Sequence, residues 1–339
     1  MNIIDYYNFS LWGNIFMSHS FYPAYTAGKL DKDSESILTT ILEANVEQLY
    51  NQTPQQAREN FVVKEWLGEF DKSVQTKNIN IEYNEGVLPI RVYTPEGNGP
   101  FPILIYFHGG GFVVGSLDEF DSFCSYLASG ASCIVVSVDY RLSPENKFPA
   151  AIEDAETALD WIGKNALKIN GDPNRVAVAG DSAGGNLAAV SSIIASDNSF
   201  PSIKYQVLIC PWLDLSSTDN ESYNLFGEGL WLSTEGIYWY RNQYLNIEEE
   251  RFLPHVSPLL NNNLKGLPPA LIITSEFEVL RHEGETYAER LKTEGIDVKC
   301  TRYEGTLHDF VTLPGLFSRA NDAIKEICHN LREVFELYQ

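Results

Sequence analysis

Six short apolar runs constrain this chain more than any other feature. They read FPILIYFHG (101–109), SCIVVSVDY (132–140), RVAVAG (175–180), YQVLICP (205–211), PALIITS (269–275) and VKCTRYEG (298–305). Rich in β-branched residues and largely continuous, they predict strands buried on both faces. Helical patterns lie between most of them, as in FPAAIEDAETALDWIGKNA (148–166) and AGGNLAAVSSIIAS (183–196). Strand and helix in alternation predict an α/β fold, with a parallel sheet covered by helices. NINIEY and LPIRVYTP alternate apolar and polar residues around Gly86 and predict a hairpin ahead of that sheet.

Upstream, apolar residues at helical spacing predict a helix over 33–50, with Asp33 and Ser34 offering cap oxygens. A second helix is expected over 53–70, opening on Thr-Pro. The interval 212–268 breaks the strand–helix rhythm and is rich in Trp, Tyr and Asn. The expected division is therefore a cap region at 1–72 and a main domain at 73–339, with a second cap insertion at about 212–258.

Composition narrows the function classes. Hydrophobic residues make up 44% of 339, enough for one large core. Asp and Glu number 46 against 24 Lys and Arg, a net charge of −22 that repels polyphosphate, so nucleic acid is not an expected partner. The five cysteines (Cys124, Cys133, Cys210, Cys300, Cys328) are odd in number, widely spaced and without a C-x-x-C pair. Neither a disulfide framework nor a zinc ribbon is expected, and a reducing, cytoplasmic setting fits. No apolar run approaches the roughly 20 residues of a membrane span. No Lys or Arg precedes Lys29, so a signal peptide is not expected, and Met17 is an alternative start.

Two glycine-rich turns follow predicted strands. VAVAGDSAGGN (176–186) holds Gly180-Asp181-Ser182-Ala183-Gly184, a G-x-S-x-G between a strand and a helix. That spacing makes a tight turn that lifts a serine above the sheet, with free N–H groups of the helix start behind it. YFHGGGF (106–112) ends in three glycines whose backbone N–H groups could meet a substrate oxygen unobstructed. Together the two turns are far more specific than either alone.

The chain resembles the hormone-sensitive-lipase-like branch of the α/β-hydrolases. The matching pieces are HGGGF (108–112), DYRLSPENKFPA (139–150), GDSAGGN (180–186), PPALIITSEFEVLRHEGETYAERL (268–291) and LHDF (307–310), in the family's order over about 75–335. The resemblance implies an α/β-hydrolase fold, with a mostly parallel eight-stranded sheet flanked by helices and a helical cap. It also implies hydrolysis of a small-molecule carboxylic ester with neither cofactor nor metal. A homodimer is common among proteins of this kind. Carried over by position, Ser182 falls at the nucleophile, and Gly110, Gly111 and Ala183 at the oxyanion donors. His108 heads the oxyanion loop in a structural role, and Asp139 and Arg141 match a bracing segment. Asp181 is a family feature for which the sequence offers no chemistry.

The base follows from elimination among six histidines. His19 lies in the cap region, His329 in the C-terminal helix pattern, His108 in the oxyanion loop and His255 at the end of the insertion. Of His282 and His308, the latter follows the last strand, where the serine–acid–histidine order of this fold places the base. The acid must then follow the strand ALIITS. The family usually has an aspartate there, followed by proline and leucine; this chain has Glu278, then Val279 and Leu280. Glu276 is the rival, and a helix-face pair of Glu278 with His282 is the structural alternative. Asp309 stands where the family most often has glycine, either solvated and inert or acting on the imidazole or a positively charged substrate. The aromatic residues Phe9, Trp12, Phe16, Trp212, Trp231 and Trp239 suggest an apolar acyl site, or ordinary core packing. An amide or N-acyl hydrolase would use the same residues, and a ligand-binding protein without turnover is the reading from another class.

Overall fold

The computed structural model describes residues 29–44, 47–61, 64–83, 86–197 and 201–338, in which eight strands form one sheet. They are β1 (Gln75–Tyr83), β2 (Gly86–Thr94), β3 (Phe101–Phe107), β4 (Ile134–Val138), β5 (Gly171–Asp181), β6 (Ile203–Ile209), β7 (Ala270–Phe277) and β8 (Val298–Leu307). Their order is β1-β2-β4-β3-β5-β6-β7-β8. β1 pairs antiparallel with β2 as the expected hairpin, β2 pairs antiparallel with β4, and every other neighbour is parallel. The central strands β3 and β4 are buried at every residue, which is why their sequences lack polar alternation.

The helices are α1 (Lys32–Glu43), α2 (Pro54–Glu59), α3 (Asp121–Ala131), α4 (Ala150–Asn165), α5 (Ala183–Asp197), α6 (Glu221–Phe226), α7 (Thr234–Tyr244), α8 (Arg281–Thr293) and α9 (Ala320–Glu336). α3 packs against α9 and α4 against α5, and each pair rests on strands of the sheet.

The upstream helices are shorter than their patterns predict. α1 is capped by Asp31, whose carboxylate accepts the Ser34 N–H at 2.8 Å. Asp33 is not the cap, because its carboxylate accepts the Ser318 N–H at 2.8 Å from the far end of the chain. The helix stops at Glu43, and a separate 3-10 turn covers Leu49–Asn51. α2 starts as expected, with Thr53 and Gln56 in a capping box and Pro54 in the first turn. It ends at Glu59, and the backbone of the following Asn60 leaves the helical region at φ −112° and ψ 8°.

The sheet register prepares the site. Ser182, Cys210, Glu278 and His308 are the first residues beyond β5, β6, β7 and β8, four adjacent strands. β6 ends level with Ile273 of β7, whereas β7 and β8 run on to the pair Phe277 and Leu307. Glu278 and His308 therefore stand beyond the level of Ser182 rather than beside it. This carboxyl end is where ligands bind in open α/β sheets.

Candidate active site

Ser182 sits in the sharp turn from β5 into α5, with φ 52°, a left-handed backbone that a serine rarely adopts. The turn is tied down from both sides: its N–H donates to the Ile209 carbonyl at 2.9 Å, and its carbonyl accepts the Trp212 N–H at 3.0 Å. A Cβ on Gly184 would overlap the Phe107 carbonyl oxygen, so only glycine lets α5 start this close to β3. Ser182 is 6% exposed, and the helix N-terminus directly behind it favours negative charge at that point.

His308 bridges this serine to a carboxylate. Its Nε2 lies 3.1 Å from Ser182 Oγ, and its Nδ1 lies 2.6 Å from Glu278 Oε2. The other oxygen of Glu278 accepts the Ser275 N–H at 2.9 Å, so this buried carboxylate has both ends engaged. Glu276 faces elsewhere, its Oε2 accepting the Gly305 N–H at 2.8 Å. Glu278 and His282 do not share a helix face, because α8 begins only at Arg281 and Glu278 lies in the loop before it. Cys210 adjoins the pair, and burial, followed by the charge of Glu278, pushes its thiol up to about 12. Cys210, Glu278 and His308 form the one cluster among the described residues with metal-ligating spacing. Within it, His308 Nδ1 and Glu278 Oε2 are hydrogen-bonded to each other at 2.6 Å.

The glycine triplet and the serine turn are joined by a residue whose part was not visible in the sequence. Asp181 Oδ1 accepts the Gly109 N–H at 2.9 Å and the Tyr106 hydroxyl. Burial, with the charge of Asp309 second, pushes this carboxyl well above the ordinary range. Gly110 has φ 109°, and a Cβ there would strike the Val114 carbonyl. No hydrogen bond among the described residues uses the Gly110 or Gly111 N–H, and both residues line the cavity with Ser182. Ala183 is fully buried at the first position of α5.

The bracing residues also find partners. His108 is fully buried, stacked on Tyr140 at 4.3 Å and 18°, and burial lowers its imidazole to about 4. Tyr140 donates its hydroxyl to the His108 carbonyl at 2.8 Å. Arg141 pairs with the buried Asp154 at 2.9 Å and with Glu153 at 3.0 Å, fixing the segment to α4. Asp139 is half-buried, and burial raises its carboxyl.

Above Ser182 opens a cavity of about 340 Å³. Its walls come from the 29–72 stretch (Leu38, Phe61, Trp66) and from the 212–240 stretch (Trp212, Trp231, Tyr240). Among these, Trp66 and Trp231 pack against each other with ring centroids 5.7 Å apart. Trp239, expected among the wall residues, does not line the cavity; its neighbour Tyr240 does. A helix brings residues three and four apart to one face, so Tyr240 joins Gly236 and Ile237 on the cavity side of α7 while Trp239 is turned off it. Phe9, Trp12 and Phe16 lie outside the described residues.

Comparison with known proteins agrees with this architecture. A family model described as alpha/beta hydrolase fold matches residues 104–312. A carboxylic ester hydrolase of Mycobacterium tuberculosis is 40% identical over 266 residues, covering 76% of this chain and 70% of that protein. An arylesterase of Saccharolobus solfataricus is 33% identical over 291 residues, covering 84% and 93% respectively. Among solved structures, a hyperthermophilic esterase from Pyrobaculum calidifontis superposes with a TM-score of 0.84 at 37% identity, covering 90% of this chain and 98% of that one. The chain belongs to the α/β-hydrolase fold family, in its hormone-sensitive-lipase-like carboxylesterase branch. It is an enzyme, a serine hydrolase of the carboxylesterase type.

Proposed function

We propose that the protein hydrolyses carboxylic esters of short to medium acyl chain through Ser182, His308 and Glu278. The observation that carries this reading is the single imidazole held 2.6 Å from a buried carboxylate and 3.1 Å from a serine hydroxyl on a strained turn. Ser182 Oγ attacks the ester carbonyl carbon while His308 Nε2 takes its proton. Glu278 holds the hydrogen on Nδ1 and stabilises the imidazolium that forms. The oxyanion accepts from the N–H groups of Gly110, Gly111 and Ala183. Collapse breaks the bond to the alkoxy oxygen, which takes the proton from Nε2 and leaves as the alcohol. Water then attacks the acyl-enzyme with His308 as base, and Ser182 regains its proton.

The experiment is turnover of p-nitrophenyl esters from acetate to palmitate by wild type and Ser182→Ala, with fluorophosphonate labelling of both. The reading expects labelling of wild type alone and a loss of about 10⁶ in kcat for the variant. Turnover surviving in Ser182→Ala refutes it.

A further inference from the structure

Asp309 meets the same ring nitrogen that faces Ser182. Its Oδ2 lies 3.0 Å from His308 Nε2, and Ser182 Oγ lies 3.1 Å from that atom. Nδ1 is committed to Glu278 at 2.6 Å. A neutral ring with its hydrogen on Nδ1 would present a lone pair to the Asp309 carboxylate, so the contact is attractive only when Nε2 also carries a hydrogen. No Lys or Arg lines the cavity among the described residues, and Asp309 Oδ1 is buried without a hydrogen-bond partner. The imidazolium is the one cation on that wall able to balance this carboxylate. The backbone fixes the approach: Asp309 has φ 54°, and its carbonyl accepts both the N–H and the hydroxyl of Thr312, at 3.2 Å and 3.0 Å.

We propose that Asp309 is a positioning residue of the reaction: in the resting enzyme it pairs with the protonated ring of His308, alternates with Ser182 as the partner of Nε2, and must release the ring before Ser182 gives up its proton. This rests on His308 being the base. The groups facing the ring are Asp181 at the end of β5, Cys210 after β6, Glu278 after β7, Asp309 itself and Tyr240 on α7. Burial works against a charged ring, yet the charge and contact of Asp309, with Cys210 and Glu278, outweigh it and hold His308 well above the ordinary imidazole range. The working base is the neutral ring, so activity is lost as pH falls through that raised value. Turnover therefore needs a more alkaline medium than an unpaired histidine would.

The test compares wild type with Asp309→Asn, Asp309→Gly and Asp309→Glu. One readout is kcat/KM for p-nitrophenyl butyrate across pH, recorded where phenol and phenolate absorb equally. The other is nitrogen NMR titration of the His308 ring, which needs no turnover. Expected is an acid limb and a ring titration that move down together by about 1–3 units in the Asn and Gly variants, with Glu restoring much of the wild-type position. A ring titration unmoved in Asp309→Asn, whose side chain keeps the original size, overturns the proposal. Ester turnover retained by His308→Gln would overturn the base assignment itself, and is read separately from the position of the limb.

Discussion

Glu276 and Glu278 stand two residues apart at the end of β7 and take different partners: Glu278 reaches His308 at 2.6 Å, and Glu276 holds the Gly305 N–H at 2.8 Å. Proximity in sequence therefore does not make them interchangeable. Glu278→Ala is expected to lower kcat by about 10³–10⁴ with folding intact, because the imidazole loses its tautomer and its counter-charge. Glu276→Ala should keep kcat near wild type and lose stability instead, by about 1–3 kcal/mol, through the stranded Gly305 N–H. Steady-state kinetics and urea melts of both variants decide; a crippled Glu276→Ala would reverse the assignment.

Asp181 links the glycine loop to the serine turn through the Gly109 N–H. Asp181→Ala should free that loop and misplace the Gly110 and Gly111 donors. The expected loss is about 10–10² in kcat, with KM little changed. Asp181→Asn retains an acceptor and should keep most of the activity. Equal losses in the two variants would show that the charge, rather than the acceptor, matters.

Glu283 is buried on α8, with Oε1 accepting the Leu213 N–H at 2.5 Å and the Asp214 N–H at 3.1 Å. Burial, with the charge of Asp214 second, raises its carboxyl well above 4.5. The folded state thus holds this proton more tightly than the unfolded chain does. The resulting stability is complete below the unfolded value and is lost as pH rises through the folded one. Glu283→Gln, which cannot ionise, should gain on wild type as pH rises. Glu283→Ala, which strands two buried donors, should cost about 2–4 kcal/mol. Melts at acidic and neutral pH test the crossover; a constant difference between Gln and wild type contradicts it.

Trp231 packs against Trp66 with ring centroids 5.7 Å apart, and both line the cavity. Trp231→Ala should remove one wall and move the best p-nitrophenyl ester to a longer acyl chain. The p-nitrophenyl series reads this directly as kcat/KM against chain length. An unchanged optimum would place the acyl group on another wall.

Much of the fold is legible because a strand buried on both faces must be apolar at every position, as β3 and β4 are. The two glycine turns are legible for a similar reason, since local backbone geometry selects the residue. What the sequence conceals is long-range. Asp33 looks like a helix cap until Ser318 claims it from the opposite end of the chain. Asp181 has no visible task because its partners, Tyr106 and Gly109, lie on another strand and its loop. Trp239 and Tyr240 are both aromatic, and only the phase of α7 decides which one reaches the cavity. Asp309 is an intermediate case: its departure from the family is plain, but its contact with Nε2 depends on a left-handed backbone at that residue.

Ser182, Cys210, Glu278 and His308 each occupy the first place after one of four neighbouring strands. A slip of one residue in any of those pairings would carry a side chain out of reach of its partner and turn it to the other side of the sheet. Regained turnover after denaturation therefore counts the molecules whose four strands have paired in register. For this chain, an ester assay doubles as a gauge of correct β-pairing, one that separates properly refolded protein from compact but misaligned species of the same helix and strand content.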